Sequence, residues 1–221
     1  MADGEDRFVE PARESEIEMT ERRSRFIAVV RLARDVSGAK AVVREVSASR
    51  PDANHHCWAY RVGLPPAEYY SDAGEPSGTA GKPILGAIQR AGTTNTVVVV
   101  TRYFGGIKLG VRGLIEAYGG AAKCALEAAG LAVRVAVRPA FLQVPYEEQG
   151  NLRFFLKDLG VDVESLICRY GERVIIEVPV PLSLERPAAD LFESLRLRGQ
   201  ILGWEWNREG SEKFPGEVWP S

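Results

Sequence analysis

Three short stretches of this 221-residue chain hold residue types that can do chemistry. The first is Tyr69-Tyr70-Ser71-Asp72-Ala73-Gly74-Glu75-Pro76-Ser77-Gly78-Thr79-Ala80-Gly81-Lys82-Pro83. Hydroxyls, acids, small residues and a lysine there precede a helix, and free N–H groups at a helix start attract anions. Ser71, Asp72, Glu75, Ser77, Thr79 and Lys82 are the candidates, with Asp72 and Glu75 available as an acid/base pair. The competing reading has Ser77 or Thr79 capping the helix and the acids complementing its dipole. A Walker A loop is not present: Pro76 occupies the first glycine position, and Pro83 stands where a Ser or Thr would hold Mg²⁺.

The second stretch is Arg102-Tyr103-Phe104-Gly105-Gly106-Ile107-Lys108-Leu109-Gly110-Val111-Arg112-Gly113, with three cations, two aromatics and no acid. A strand leading through a glycine loop into a helix brings backbone N–H groups near phosphate. Arg102, Gly105, Gly106, Lys108 and Arg112 are candidate phosphate contacts, joined by Arg61 and Lys82, and Tyr103 is a candidate to stack a base. The alternative is a tight turn with its aromatics in the core and its cations solvated. The spacing does not match G-x-G-x-x-G. The third stretch, His55-His56-Cys57, holds the only two histidines. Neighbouring strand residues face opposite sides, so only His55 and Cys57 share one. Cys57 reads as a buried or spectator thiol, with a His-assisted nucleophile as the alternative. No metal site or cofactor is expected from this spacing.

These stretches must be positioned by regular elements. Residues 1–15 read as a loose, polar N-terminus. Residues 16–20 and 26–32 alternate or run apolar as strands, and Ala39, Val42, Val43 and Val46 mark a helix capped by Asp35 or Ser37. A strand over 57–62 leads into a long loop, 63–81, and a short helix with Pro83 in its first turn. Residues 96–104 read as a central strand, apolar on both faces. The helix after the glycine loop carries Leu114, Ile115, Tyr118, Ala121, Ala122, Ala125, Leu126 and Ala129 on its apolar face, and Gly130 ends it. The order β-α-β-β-α-β follows over 139–206, the ferredoxin-like arrangement, and 207–221 is a polar tail.

Composition is that of a globular protein, 45% apolar and 26% charged. The three cysteines form no C-x-x-C pair, which suits a reducing cytoplasm. No apolar run approaches the roughly 20 residues of a membrane-spanning helix. The net charge of −2 excludes a uniformly basic nucleic-acid binder, yet it conceals an asymmetry. Residues 26–138 carry 14 basic and 8 acidic side chains, net +6, and 139–221 carry 9 and 14, net −5.

At His56-Cys57-Trp58-Ala59-Tyr60-Arg61, at 71–83, at 98–110 and at Leu114-Ile115-Glu116-Ala117-Tyr118-Gly119, the chain resembles the IMPACT/YigZ family, also called UPF0029. The resemblance extends over about residues 16–206. It implies an α+β protein of two domains: 16–138 with a ribosomal protein S5 domain 2-like fold, and 139–206 ferredoxin-like, similar to elongation-factor domain V. Eukaryotic members resemble a translational regulator that competes for the activator of a starvation-sensing kinase. The family usually has Asn at His56, a second Asp at Ala73, and Gly-Gly-Leu then Arg where this chain has Arg112-Gly113-Leu114-Ile115-Glu116. The expected function is therefore that of a cytoplasmic, translation-associated regulator. It would bind RNA, the ribosome or a ribosome-associated protein through a basic glycine-rich face. The alternative is an enzyme acting on a small phosphorylated or anionic substrate at 71–83 and 102–113, and a phosphate or other anion is a possible ligand of the same loops.

Overall fold

The structure is a computed structural model and describes residues 6–207. The described chain forms two compact units, Phe8–Arg134 and the remainder, residues 6–7 with 135–207. The first unit begins with β1 (Arg7–Pro11), then β2 (Ser15–Glu21) and β3 (Ser24–Leu32). The β2–β3 turn is only Arg22-Arg23, both at positive φ, as the two-residue hairpin with matching twist requires. Helix α1 (Val36–Ala48) is capped by the Asp35 carboxylate, which accepts the Gly38 N–H at 2.8 Å. There follow β4 (His55–Val62), β5 (Ala67–Ser71), α2 (Gly81–Ala91), β6 (Thr96–Tyr103), α3 (Gly110–Ala129) and β7 (Leu131–Val135).

Five strands make one sheet in the order β2-β3-β6-β4-β5, every neighbouring pair antiparallel. The four valines of β6 are fully buried because both faces of the sheet are covered. Val98 and Val100 pack with Phe26, Ala28, Cys57 and Ala59 against Ile84 and Ile88 of α2 and Leu114, Tyr118 and Ala122 of α3. Val97 and Val99 pack with Ile27, Val29, Tyr60 and Val62 against α1. The central, doubly buried strand expected over 96–104 is therefore β6.

The second unit runs β8 (Val137–Val144), α4 (Gln149–Leu159), β9 (Ile167–Tyr170), β10 (Val174–Pro181), α5 (Glu185–Leu197) and β11 (Gly203–Trp206). Its sheet has the order β11-β8-β10-β9, all antiparallel. Alternate burial along β10 shows one face turned to a core with Leu152, Leu156, Phe192 and Leu195. Asp6 belongs to this unit: its carboxylate accepts the Ser183 N–H at 2.9 Å, and its carbonyl accepts the Ala136 N–H at 2.8 Å.

Three strands depart from the sequence reading. Residues 7–11, read within a loose N-terminus, form β1 and pair with β7, which had no strand assignment. Residues 67–71, read as loop, form the edge strand β5. Each lies at an edge or in a two-stranded ribbon, where period-2 burial is weak, so no alternating pattern marks it. Residues 1–5 and 208–221 lie outside the described residues, and with them most of the expected polar tail. Ile88→Ala, between α2 and the sheet, is expected to destabilise this unit by about 2–5 kcal/mol. Lys40→Ala on the exposed side of α1 should stay within about 0.5 kcal/mol. Urea unfolding of the two variants beside the wild type measures the difference.

Candidate functional site

Antiparallel pairing sets His55 opposite Arg102 and Cys57 opposite Val100, so His55, Cys57 and Arg102 share the face that α2 and α3 cover. The chain leaving β5 then folds back over this face. Asp72 Oδ1 accepts the N–H groups of Ala80 at 3.0 Å and Gly81 at 2.8 Å, and Oδ2 accepts that of Gly78 at 2.8 Å. The first turn of α2 has no cap from its own N-cap residue, Ala80. Asp72 supplies it from nine residues upstream, in place of the Ser77 or Thr79 cap read from the sequence. Thr79 is buried and donates to the Pro76 carbonyl at 2.6 Å, and Ser77 is exposed. Gly81 is required here, since a Cβ would fall 2.7 Å from the Ser71 backbone.

Asp72 and Glu75 do not form an acid/base pair open to solvent. The Glu75 side chain is 4% exposed, and its Oε1 accepts from Arg102 Nη1 at 2.6 Å and from the Tyr118 hydroxyl at 2.8 Å. Arg102 is itself 5% exposed. Its guanidinium lies 5.5 Å from the Phe26 ring centroid and 5.3 Å from that of Phe104, and Nη2 donates to Ser24 Oγ at 3.3 Å. Arg102 Nε is buried with no hydrogen-bond partner among the described residues. His55 Nε2 stands 3.9 Å from the same Glu75 oxygen, and His55 Nδ1 is 3.0 Å from the Ala73 carbonyl. The Cys57 thiol donates to the Asp72 carbonyl at 2.9 Å and also meets the Tyr118 hydroxyl. One network thus ties β3, β4, the 71–81 loop, β6 and α3 together.

This arrangement lies within residues 22–126, which match the model of the Impact N-terminal domain. The chain is 36% identical to IMPACT family member YigZ of Escherichia coli (strain K12), over 72% of this chain and 79% of that protein. It is 38% identical to an IMPACT family member of Thermus thermophilus, over 71% and 85%. The chain belongs to the IMPACT family. A further member, YvyE of Bacillus subtilis (strain 168), is 34% identical over 75% of this chain and 76% of its own length. A crystal structure of a hypothetical protein matches with a TM-score of 0.63 and 31% identity, covering 93% of this chain and 99% of that one.

The IMPACT match contains every residue of the buried network, from Ser24 to Tyr118, and the chemistry of that network is subdued. Burial pushes the Cys57 thiol up to about 12, and burial beside Cys57 and Glu75 pushes the Tyr118 phenol up as well. Neither ionises near neutrality, so Cys57 is a buried thiol, not an activated nucleophile. Burial also holds His56 below its ordinary value, on the opposite face, with Nδ1 3.1 Å from Thr101 Oγ1. Among the described residues no group of three or more His, Cys, Asp or Glu is placed to hold a metal ion.

The expected basic face divides in the same way. Arg102 points inward. Arg61 donates to Glu68 at 2.8 Å and to the Thr93 carbonyl at 2.7 Å. Tyr103 faces the α1 side, its ring 4.4 Å under Arg25 and its hydroxyl donating to Asp52 at 3.2 Å. Lys82 and Lys108 are exposed and make no ion pair among the described residues. Arg112 is 92% exposed and, among the described residues, its one ion pair is with Glu116, at 2.8 Å. Ser71 Oγ accepts the Ala73 N–H, Gly105 donates to Ser24 Oγ, and Gly106 takes a φ of +86° in the loop. Ser24 and Tyr118 were not singled out as site residues. Tyr118 was read as one member of an apolar helix stripe, which it is, and nothing local shows that its hydroxyl meets Glu75.

Two outcomes test this account. Glu75→Ala leaves the Arg102 charge buried without its counter-ion and Tyr118 without its carboxylate acceptor, and the loss expected for breaking such a pair is about 3–5 kcal/mol. Chemical denaturation of the variant measures it. At pH 8 the exposed Cys124 should react with a thiol reagent while Cys57 stays protected until the chain is unfolded. The unfolded thiol ionises first as pH rises, so this group's contribution to stability falls between the ordinary thiol value of 9 and about 12. A Cys57→Ala variant should lack that part of the alkaline decline.

Proposed function

We propose that this protein is a translation-associated regulatory protein of the cytoplasm that acts by binding RNA, the ribosome or a ribosome-associated partner. The observation that carries the reading is the division of its polar residues. Asp72 is held by backbone N–H groups and Glu75 pairs with Arg102 inside the fold, whereas the acid-free stretch after β6 sends Lys108 and Arg112 to the surface. The N-terminus of α3 adds to that surface: it has no side-chain cap and no acid in its first turn, so its positive end is unopposed. Lys82, at the start of α2, is a further exposed cation.

In this reading the Phe8–Arg134 unit is ribosomal protein S5 domain 2-like, and the second unit is ferredoxin-like, as in elongation-factor domain V. The β-α-β-β-α-β order and the strand order β11-β8-β10-β9 support the latter. Membership of the IMPACT family supports the translational role. An enzyme acting on a small anionic substrate has less support, because the Asp72 carboxylate fills the seat at the α2 N-terminus that a substrate anion would take.

Sedimentation of the purified protein with ribosomes at low and high salt tests the proposal. Binding is expected at low salt and should weaken steeply as salt rises. Lys108→Glu should abolish it, and Lys157→Glu on α4 should not. Absence from the ribosomal fraction at low salt, or equal loss with both variants, overturns the reading.

A further inference from the structure

The face around the glycine loop is apolar as well as basic. Phe104, Ile107, Val111 and Ile115 are all exposed, the last two by 61% and 42% of their surface. Val111 and Ile115 lie one turn apart on α3, so their side chains form a ridge on one side of the helix. Lys108 stands just before that ridge, and the Arg112–Glu116 pair runs in the row beside it. Exposed aliphatic side chains grouped with cations mark an interaction surface better than either does alone.

We propose that this ridge docks an acidic amphipathic helix of a protein partner. The inference rests on the reading of this face as the protein's docking surface, and it names the class of partner. Two features favour a helix over a nucleic acid. Phosphates and sugars pair with cations but leave an Ile/Val ridge uncovered, and nucleic-acid platforms use open aromatic rings. Phe104 has Arg102 against it, and Tyr103 lies under Arg25 on the α1 side. An apolar ridge with i, i+4 spacing is instead matched by the i, i+3, i+4, i+7 anchors of a helix. The charge selects its sign: Arg112 is offset by Glu116, Arg102 is buried against Glu75, and the exposed Lys108 beside the open α3 N-terminus leaves this end of the ridge net positive.

Selection from a random 16-residue peptide display library on the immobilised full-length chain tests this. Enriched sequences should place Leu, Ile or Phe at helical spacing with Asp or Glu around them. Fluorescence anisotropy of the leading synthetic peptide should show affinity at least tenfold weaker for Val111→Ser with Ile115→Ser, which leaves the charge unchanged, and weaker again for Lys108→Glu. Ile107→Ser, outside the helix, gives an independent arm if the double variant does not match the wild type by circular dichroism. No helical acidic consensus, or equal affinity of the leading peptide for wild type and the serine variants, overturns the proposal. A structured RNA oligonucleotide bound equally by wild type and the serine variants, with no peptide selected, also overturns it. Ribosome sedimentation of the same variants separates the two readings. Loss with Lys108→Glu but not with the serine variants leaves the translational role standing and removes the helix. Peptide binding by a protein that does not sediment with ribosomes removes the translational role and keeps the helix.

Discussion

Arg102 sits on the central strand of the first unit, between two phenylalanine rings, where a lone cation would not be tolerated. It is held there because Glu75 reaches in from a loop and accepts its guanidinium at 2.6 Å. Much of the local geometry depends on this pair. Glu75 enters only if the 71–81 segment folds back, and that segment folds back around Asp72, which accepts the N–H groups of Gly78, Ala80 and Gly81 and starts α2. Tyr118 donates a hydrogen bond from α3 to the same carboxylate oxygen, and Ser24 Oγ, at the end of the β2–β3 hairpin, accepts one from the guanidinium. The buried ion pair, with Asp72, Tyr118 and Ser24 beside it, thus joins the start of one helix, the seating of another and the end of a hairpin.

The glycine loop is shaped by the same contacts. Gly105 donates to Ser24 Oγ, and its missing side chain lets the Arg23 carbonyl lie where a Cβ would be, at 2.0 Å. With the loop drawn against the hairpin at Gly105, the residues that follow turn outward, and Lys108, Val111, Arg112 and Ile115 reach the surface. The protein thereby separates its polar groups into two sets. One set is paired inside and holds the fold, and the other faces solvent.

Much of the architecture was legible because it follows from periodicity. The helix stripes over 39–46 and 114–129, the apolar run of β6 and the β-α-β-β-α-β order of the second unit each depend on local spacing alone. The strands that went unread, β1, β5 and β7, are edge or ribbon elements whose residues are mostly exposed or half-buried. Their pairing is decided by the partner strand rather than by their own pattern. The site was legible by residue type and not by role. Asp72, Glu75, Thr79 and Arg102 stand out in the sequence as candidates to bind a ligand, and nothing local shows that their side chains bond to one another and to the backbone.

By itself the sequence determined the periodic helices and the buried central strand, the family resemblance and the charge asymmetry that net −2 conceals. It also determined that the loop after β6 is acid-free. Which cations face solvent was decided only by the tertiary structure. Arg102, Lys108 and Arg112 look alike as text, separated by a few residues. They differ because strand alternation turns Arg102 toward α2 and α3, where a carboxylate 27 positions away neutralises it, whereas the helix start turns Lys108 and Arg112 to water. Burial is a property of what packs against a residue, and for Arg102 that includes an acid and two aromatic rings contributed by three separate segments of the chain.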